Sequence, residues 1–164
     1  MWSYYGSKSK VVNLYPAPKY DVIVEPFAGS ARYALEYWDR QVYLVEKDKL
    51  LVALWQWLQK CSPKDILGLP SMKQGETTDK YSFDCQEAKW LMGFIIQGGV
   101  NYPRKTVSSV GNFGLRIEPE KKRIAESLFK IKHWTIIEGS YDTDTPMLQA
   151  TYFVDPPYIE KGIH

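Results

Sequence analysis

The sequence has few residues of the kinds that bind metals or build disulfide frameworks. Its 164 residues include two cysteines, Cys61 and Cys85, and two histidines. Two isolated cysteines cannot form the disulfide framework of a small secreted fold, so a reducing, cytoplasmic setting is favoured. The spacing of these four side chains also fits none of the common zinc motifs. We therefore expect no metal site.

Long apolar runs and low-complexity segments are also missing. No apolar stretch approaches the roughly 20 residues that a membrane helix needs, and the N-terminus lacks the apolar core of a secretory signal. Eleven glycines and ten prolines are too few for a collagen-like chain, and 45% hydrophobic residues are too many for a disordered one. The sequence predicts one globular domain that does not enter a membrane.

Charge is nearly balanced over the whole chain but unevenly distributed along it. Residues 101–135 hold eight basic and three acidic side chains, whereas residues 136–164 hold one basic and five acidic ones. A basic middle segment indicates local contact with a polyanion. A solvated helix face explains Lys121, Lys122 and Arg123 equally well, so both interpretations stay open.

Alternating strand and helix signals predict a parallel α/β sheet. Runs of β-branched and apolar residues predict strands at Tyr20–Glu25, Val42–Val45, Trp134–Ile137 and Thr151–Val154. Apolar residues at helical spacing predict four helices, which begin at the caps Ser30, Asp48 and Asp84 and near Pro119. The first of these helices is expected to include Trp38. The polar segments 61–83 and 100–116 are predicted to be irregular.

A turn rich in small residues follows the first predicted strand. It reads Glu25-Pro26-Phe27-Ala28-Gly29-Ser30. Glycine lets a backbone pass close to a ligand, and the start of the next helix offers free N–H groups. Ligands of open parallel sheets bind at the carboxyl ends of the strands, where this turn is expected. A plain tight turn is the alternative interpretation.

Glu46 comes directly after the second predicted strand and 17 residues beyond Gly29. An acid near this distance from a glycine turn is where nucleoside-binding α/β proteins hold ribose hydroxyls. Its two oxygens can accept hydrogen bonds from both hydroxyl groups. A solvated acid at a strand end is the alternative.

The most specific motif is Asp155-Pro156-Pro157-Tyr158, which follows the last predicted strand. Two prolines cannot continue a central strand, so they form a stiff loop rich in acceptors. Asp155 and the Pro156 carbonyl can each accept one hydrogen of an exocyclic amino group, and Tyr158 can stack on the base. This set predicts recognition of an aminopurine or aminopyrimidine, with a rigid surface turn as the alternative.

Three segments of the sequence together resemble the DNA adenine methyltransferase family, and its phage-encoded members in particular. They are Tyr4-Tyr5-Gly6-Ser7-Lys8, Val24-Glu25-Pro26-Phe27-Ala28-Gly29-Ser30 and Asp155-Pro156-Pro157-Tyr158. Their order is similar to that of the family, although Ser30 stands where a second glycine is common. The resemblance implies a Rossmann-like methyltransferase sheet, mostly parallel and three-layered, with a helical or irregular insert for target recognition.

The same resemblance implies transfer of a methyl group from S-adenosylmethionine to the exocyclic amino group of adenine in double-stranded DNA. The flipped-out base would meet the catalytic residues Asp155, Pro156 and Tyr158. Lys8 would contact the carboxylate of the cofactor, and Ser140 or Asp142 its adenine. The other implied cofactor residues are Tyr5, Gly6, Glu25, Pro26, Phe27, Gly29, Ser30, Glu46 and Asp155. Phosphate or base contacts are expected from Asn101, Arg104, Lys105 and Arg116.

The expected organisation is a cofactor-binding and catalytic core at 1–60 and 134–164, with residues 61–133 as the recognition insert. The family continues with further strands after the catalytic loop, whereas this sequence ends at His164. The resemblance thus implies one of two things: a truncated chain, whose sheet would be incomplete, or further residues after His164. Two alternatives stay open: a methyltransferase acting on RNA or protein, and a non-catalytic module that binds cofactor and DNA.

Overall fold

The computed structural model describes residues 1–6, 11–108 and 113–156. In this part of the chain, four strands form one parallel sheet in the order β3-β2-β1-β4. The strands are β1 at Val22–Glu25, β2 at Gln41–Glu46, β3 at Thr135–Glu138 and β4 at Thr151–Tyr152. Helices flank this small sheet, so the predicted α/β, Rossmann-like fold is confirmed.

The sheet forms because its two central strands consist largely of residues that stabilise the protein when buried. Ile23 and Val24 of β1 and Val42, Leu44 and Val45 of β2 are fully buried. Since all four strands run in the same direction, their carboxyl ends meet at one edge of the sheet. We call this edge, with the turns that follow each strand, the carboxyl edge.

Five α-helices in the described residues connect and cover the strands. They are α1 at Arg32–Glu36, α2 at Lys49–Lys60, α3 at Pro63–Leu67, α4 at Gln86–Ile95 and α5 at Phe113–Ser127. Short 3-10 turns lie at Val12–Leu14, Thr78–Lys80 and Leu128–Ile131. Asp48 caps α2 as predicted, because its carboxylate accepts a hydrogen bond from the N–H of Leu50 at 2.9 Å.

The start of α1 differs from the prediction that Ser30 caps it. The N-cap residue is Ala31, in a left-handed conformation with φ 46°. The N–H of Ala34 donates instead to the buried carboxylate of Glu25, with N and Oε1 2.6 Å apart. The helix then ends at Glu36, before Trp38. The prediction was wrong because a strand residue, not a neighbour in sequence, supplies the acceptor.

The segment predicted to be irregular at 61–83 contains α3. Ser62 and Asp65 form a capping box, in which the backbone N–H of Ser62 donates to Asp65 Oδ2 at 2.7 Å. The N-cap of α4 is Cys85 instead of the predicted Asp84. Both local predictions were wrong: the capping box starts a helix inside the segment 61–83, and α4 begins one residue later than predicted.

Two further elements have bounds that differ from the predicted ones. Helix α5 begins at Phe113, so Pro119 lies in its second turn and not near its start. Strand β4 spans two residues, not the four predicted at Thr151–Val154. Only the N–H of Phe153 extends its pairing, by donating to the Val24 carbonyl at 2.9 Å. The chain therefore leaves the sheet just before Asp155.

The region predicted as an insert packs on the sheet-bearing part of the chain. Its helix α4 contacts α2, which belongs to the predicted core. The rings of Trp2, Trp55 and Phe94 meet in the shared core, with centroids of Trp2 4.9 Å from Trp55 and 5.7 Å from Phe94. One buried cluster thus joins both regions. The assignment of residues 61–133 to target recognition stays a prediction.

Candidate functional site at the carboxyl edge of the sheet

A cavity of about 580 Å³ opens at the carboxyl edge of the sheet. Its size lies within the range of small-molecule and cofactor sites. Turns after all four strands contribute to its wall, together with the N-terminal segment. The sequence-predicted residues that line it are Tyr5, Gly6, Glu25, Pro26, Phe27, Gly29, Ser30, Glu46, Asn101, Ser140, Asp155 and Pro156. Residues from six separate stretches of sequence are thus brought together.

The turn after β1 approaches the cavity through its backbone. Gly29 has φ 46°, a left-handed conformation that side chains disfavour. Its N–H donates to Glu46 Oε2 at 3.0 Å, and its carbonyl accepts from the indole N–H of Trp55, also at 3.0 Å. A Cβ at this position would also lie 3.4 Å from the ring of Tyr4. The turn is therefore fixed by contacts on both sides.

Glu46 connects two backbone turns at the floor of the cavity. Besides the bond from Gly29, its Oε1 accepts from the N–H of Asp48 at 3.0 Å. Each carboxylate oxygen has room for another hydrogen bond, because an oxygen carries two lone pairs. Glu46 thus has the chemistry to accept from a diol in the cavity, and it also holds the glycine turn in place.

Glu25 is a buried acid on the cavity wall, with 2% of its surface exposed. Burial raises the pKa of its carboxyl to about 8. The hydrogen bond from Ala34 opposes this rise, and the nearby carboxylate of Asp155 adds to it. Two acids of different environment, Glu25 and Asp155, therefore share one cavity.

The turn after β3 brings a hydroxyl and an aromatic ring to the cavity. Ser140 and Tyr141 line it, and the Tyr141 ring packs against Phe27 with centroids 4.8 Å apart and planes at 33°. The side chain of Ser140 donates to Asp142, and this bond holds the pKa of the Asp142 carboxyl below its usual range. Between the two predicted alternatives, Ser140 lines the cavity and Asp142 does not.

The start of the predicted catalytic loop lies on the opposite wall. Phe153, Asp155 and Pro156 line the cavity directly beyond β4. Tyr158, predicted to stack on a base, and Lys8, predicted to contact the cofactor carboxylate, lie outside the described residues. Their roles stay predictions.

The residues predicted to contact DNA lie at different places. Asn101 lines the cavity, whereas Arg104, Lys105 and Arg116 are exposed outside it. Lys105 forms an ion pair with Asp79, with Nζ and Oδ2 3.7 Å apart. The backbone near Arg104 passes close to α4 at Gly93, whose carbonyl accepts from the Arg104 N–H at 3.0 Å. A Cβ on Gly93 would come within 2.7 Å of the Arg104 carbonyl, so glycine permits this contact.

Several cavity residues were not predicted from the sequence. They are Tyr4, Ala28, Ala31, Arg32, Lys47, Gly139, Tyr141 and Phe153. Lys47 and Tyr141 could have been found, since each lies within three residues of a strand's carboxyl end. Tyr4 stands in the N-terminal motif directly before the predicted Tyr5, and a parallel bridge to Val100 holds it in place.

Among the described residues, no group of three or more His, Cys, Asp or Glu side chains could hold a metal ion. No helix in the same part of the chain has the length and apolar character needed to cross a membrane. Comparison with known proteins identified no relative: no protein-family model matches the chain, and no curated protein matches it.

Proposed function

We propose that this chain is an S-adenosylmethionine-dependent methyltransferase that modifies the exocyclic amino group of adenine in double-stranded DNA. One observation carries the proposal. The acceptors of the Asp155-Pro156 loop line the same cavity as the glycine turn and Glu46. A methyl donor bound at the turn would therefore lie within the same enclosure as an amino group held by Asp155.

The chemistry of the cavity suits this cofactor. Its acidic wall residues are Glu25, Glu46 and Asp155, and its basic ones are Arg32 and Lys47. Because burial raises the pKa of Glu25 to about 8, its carboxyl is mostly protonated at pH 7, and Glu46 and Asp155 carry the negative charge of the wall. Glu46 offers acceptors for ribose hydroxyls, and the ring pair of Phe27 and Tyr141 offers an apolar face for a purine.

Methyl transfer needs a better nucleophile than the amino group of free adenine, whose lone pair is delocalised into the ring. Hydrogen bonds to Asp155 and to the Pro156 carbonyl would favour a pyramidal nitrogen with its lone pair directed at the methyl carbon. S-adenosylmethionine would supply the methyl group and leave as a neutral thioether, and the proton released from the methylated nitrogen would pass to water. Positioning and fixed acceptors supply the rate acceleration.

The target base must leave the double helix, because the amino group inside a duplex cannot reach an enclosed cavity. Asn101 at the cavity and the exposed Arg104 and Lys105 beyond it form a continuous run of sequence with phosphate-binding and base-binding chemistry. This arrangement supports a nucleic acid as the substrate over a protein.

A substrate panel tests the proposal. The protein is incubated with methyl-labelled S-adenosylmethionine and, separately, with unmethylated genomic DNA, the duplexes poly(dA·dT) and poly(dG·dC), total RNA, and a protein extract. We expect label in genomic DNA or poly(dA·dT), recovered as N6-methyladenine, and none in poly(dG·dC).

Each other outcome of the panel contradicts the proposal in a distinct way. Label in RNA or protein alone would assign a different substrate. Saturable cofactor binding without transfer to any substrate would indicate a non-catalytic binding module. Label in poly(dG·dC) would exclude adenine as the target base.

A further inference from the structure

An aromatic cluster lies directly behind the predicted catalytic loop. The rings of Phe153 and Tyr33 are stacked, with centroids 4.5 Å apart and planes at 2°. Tyr15 meets Phe153 edge to face, at 5.0 Å and 86°. We call Tyr15, Tyr33 and Phe153 the aromatic clamp. Phe153 precedes Asp155 by two residues, and both line the cavity.

Strand pairing alone gives Asp155 little support. Strand β4 is two residues long and pairs with β1, and within the described residues it is an edge strand. Its pairing ends at the Phe153 N–H, which donates to Val24. A strand this short fixes the direction of the following loop poorly, so other contacts must do so.

The partners of Phe153 are themselves anchored. Tyr33 is 2% exposed, and its hydroxyl donates to the Pro16 carbonyl at 2.8 Å. Tyr33 belongs to α1, whose first turn is held by Glu25. Residues 15–20 are tied to the other end of β4, because Thr151 Oγ1 accepts from the N–H groups of Lys19 and Tyr20 at 2.9 and 3.2 Å.

We propose that the aromatic clamp positions Asp155. It joins β4 to α1 and to residues 15–20 at the point where the chain leaves the sheet, and so fixes where the Asp155 carboxylate stands in the cavity. Offset and edge-to-face ring contacts favour one geometry more strongly than aliphatic contacts do. Tyr15, Tyr33 and Phe153 are positioning residues: they act through Asp155, and the catalytic readout of this inference rests on the proposed function.

The test replaces Phe153 by leucine, which keeps an apolar side chain and removes the stack. Tyr37→Leu is the matched control, because Tyr37 contacts Tyr33 at 5.1 Å but takes no part in the clamp. Phe153→Tyr keeps the ring and serves as the conservative rescue. Hydrogen exchange of residues 151–156 is measured by mass spectrometry in each variant, with residues 22–25 as the internal reference.

We expect Phe153→Leu to raise exchange at 151–156 at least tenfold relative to 22–25, and Phe153→Tyr and Tyr37→Leu to leave it near the wild-type value. In the methylation assay, Phe153→Leu should lower kcat at least tenfold while the Kd for S-adenosylmethionine changes less than threefold. Tyr15→Leu removes only the edge-to-face contact and should also raise exchange at 151–156 and lower kcat. If Phe153→Leu does not fold, Tyr15→Leu tests the inference in its place.

Unchanged exchange at 151–156 in both Phe153→Leu and Tyr15→Leu would overturn the inference. Equal effects of Phe153→Leu and Tyr37→Leu would overturn it too, since they would indicate general packing. Failure of the proposed function is recognised separately. In that case wild-type protein transfers no methyl group to any substrate, while the exchange measurement still decides whether the clamp holds the loop.

Discussion

Glu25 and Glu46 end neighbouring strands, yet they act differently on the turn between them. Glu46 is partly exposed and accepts bonds from Gly29 and Asp48. Glu25 is buried and accepts from Ala34 at the start of α1. Glu46 can therefore accept further hydrogen bonds from a ligand in the cavity. Glu25 instead holds the start of α1 in a buried environment that disfavours its charged form.

Glu25 makes the stability of the fold depend on pH. Its pKa of about 8, raised mainly by burial, lies above the usual 4.5, so the folded state binds a proton more tightly than the unfolded state. The stability that the protonated Glu25 carboxyl contributes to the fold is fully present below about pH 4.5 and is lost as pH rises towards 8.

Glu25→Gln keeps an oxygen acceptor for Ala34 and removes the titration. We expect the free energy of unfolding of wild type, relative to this variant, to fall between pH 5 and 8 by at most about 5 kcal/mol. Urea denaturation across this pH range measures it, with the exposed Glu36→Gln on the same helix as the control. A constant difference between wild type and Glu25→Gln would contradict the account.

Glu46→Ala tests the ribose contact. We expect it to weaken S-adenosylmethionine binding by about 1–3 kcal/mol, the usual cost of a lost charged hydrogen bond. Glu138→Ala is a matched control, since Glu138 pairs in register with Glu46 on β3 but does not line the cavity. Calorimetry measures both affinities.

A comparison of two nucleosides distinguishes the loss of a ribose contact in Glu46→Ala from damage to the glycine turn. Wild type should bind adenosine more tightly than 2′,3′-dideoxyadenosine, and Glu46→Ala should lose most of this preference. If the preference persists in Glu46→Ala, Glu46 supports the turn and does not bind the ribose.

At the scale of elements, the sequence predicted helices and strands correctly where neighbouring residues alone determine the local structure. The β-branched runs of β1 and β2 form strands as expected, and Asp48 caps α2 with its own side chain. Prediction failed where distant residues decide. Glu25 replaces Ser30 as the acceptor at α1. This contact depends on the fold already being formed.

The segment 101–106 lies at the edge of the cavity and carries an element-scale prediction. If Arg104 contacts phosphates, Arg104→Ala should weaken binding to all DNA sequences and reduce the salt slope by about 1. Lys105→Ala should have a smaller effect, because Asp79 already pairs with Lys105. Affinity is measured by fluorescence anisotropy at several salt concentrations.

Lys122→Ala provides the control for that experiment, since Lys122 on α5 pairs with Glu126 and represents the solvated helix face. We expect its salt slope to equal that of wild type. Equal slopes in Arg104→Ala, Lys105→Ala and wild type would instead assign segment 101–106 to the ordinary protein surface.

At the scale of the whole molecule, the parallel sheet explains why separate motifs form one site. Glu46 ends one strand, and Gly29, Ser140 and Asp155 follow the other three; the common direction of the strands brings all four residues to one edge. The sequence was sufficient to predict this convergence, since it needs only that the strands run parallel. The aromatic contacts of Phe27 with Tyr141 and of Tyr33 with Phe153 were not predictable, because they depend on how the turns pack.

The most direct test of the central claim compares wild type with Asp155→Asn, in both cofactor binding and methyl transfer to DNA. Asparagine is nearly isosteric, but its NH₂ group would meet the adenine amino group donor to donor. We expect the Kd for S-adenosylmethionine to change little, while transfer to the DNA that wild type methylates falls about a hundredfold or more. Transfer by Asp155→Asn at the wild-type rate would contradict the claim that Asp155 accepts the adenine amino group.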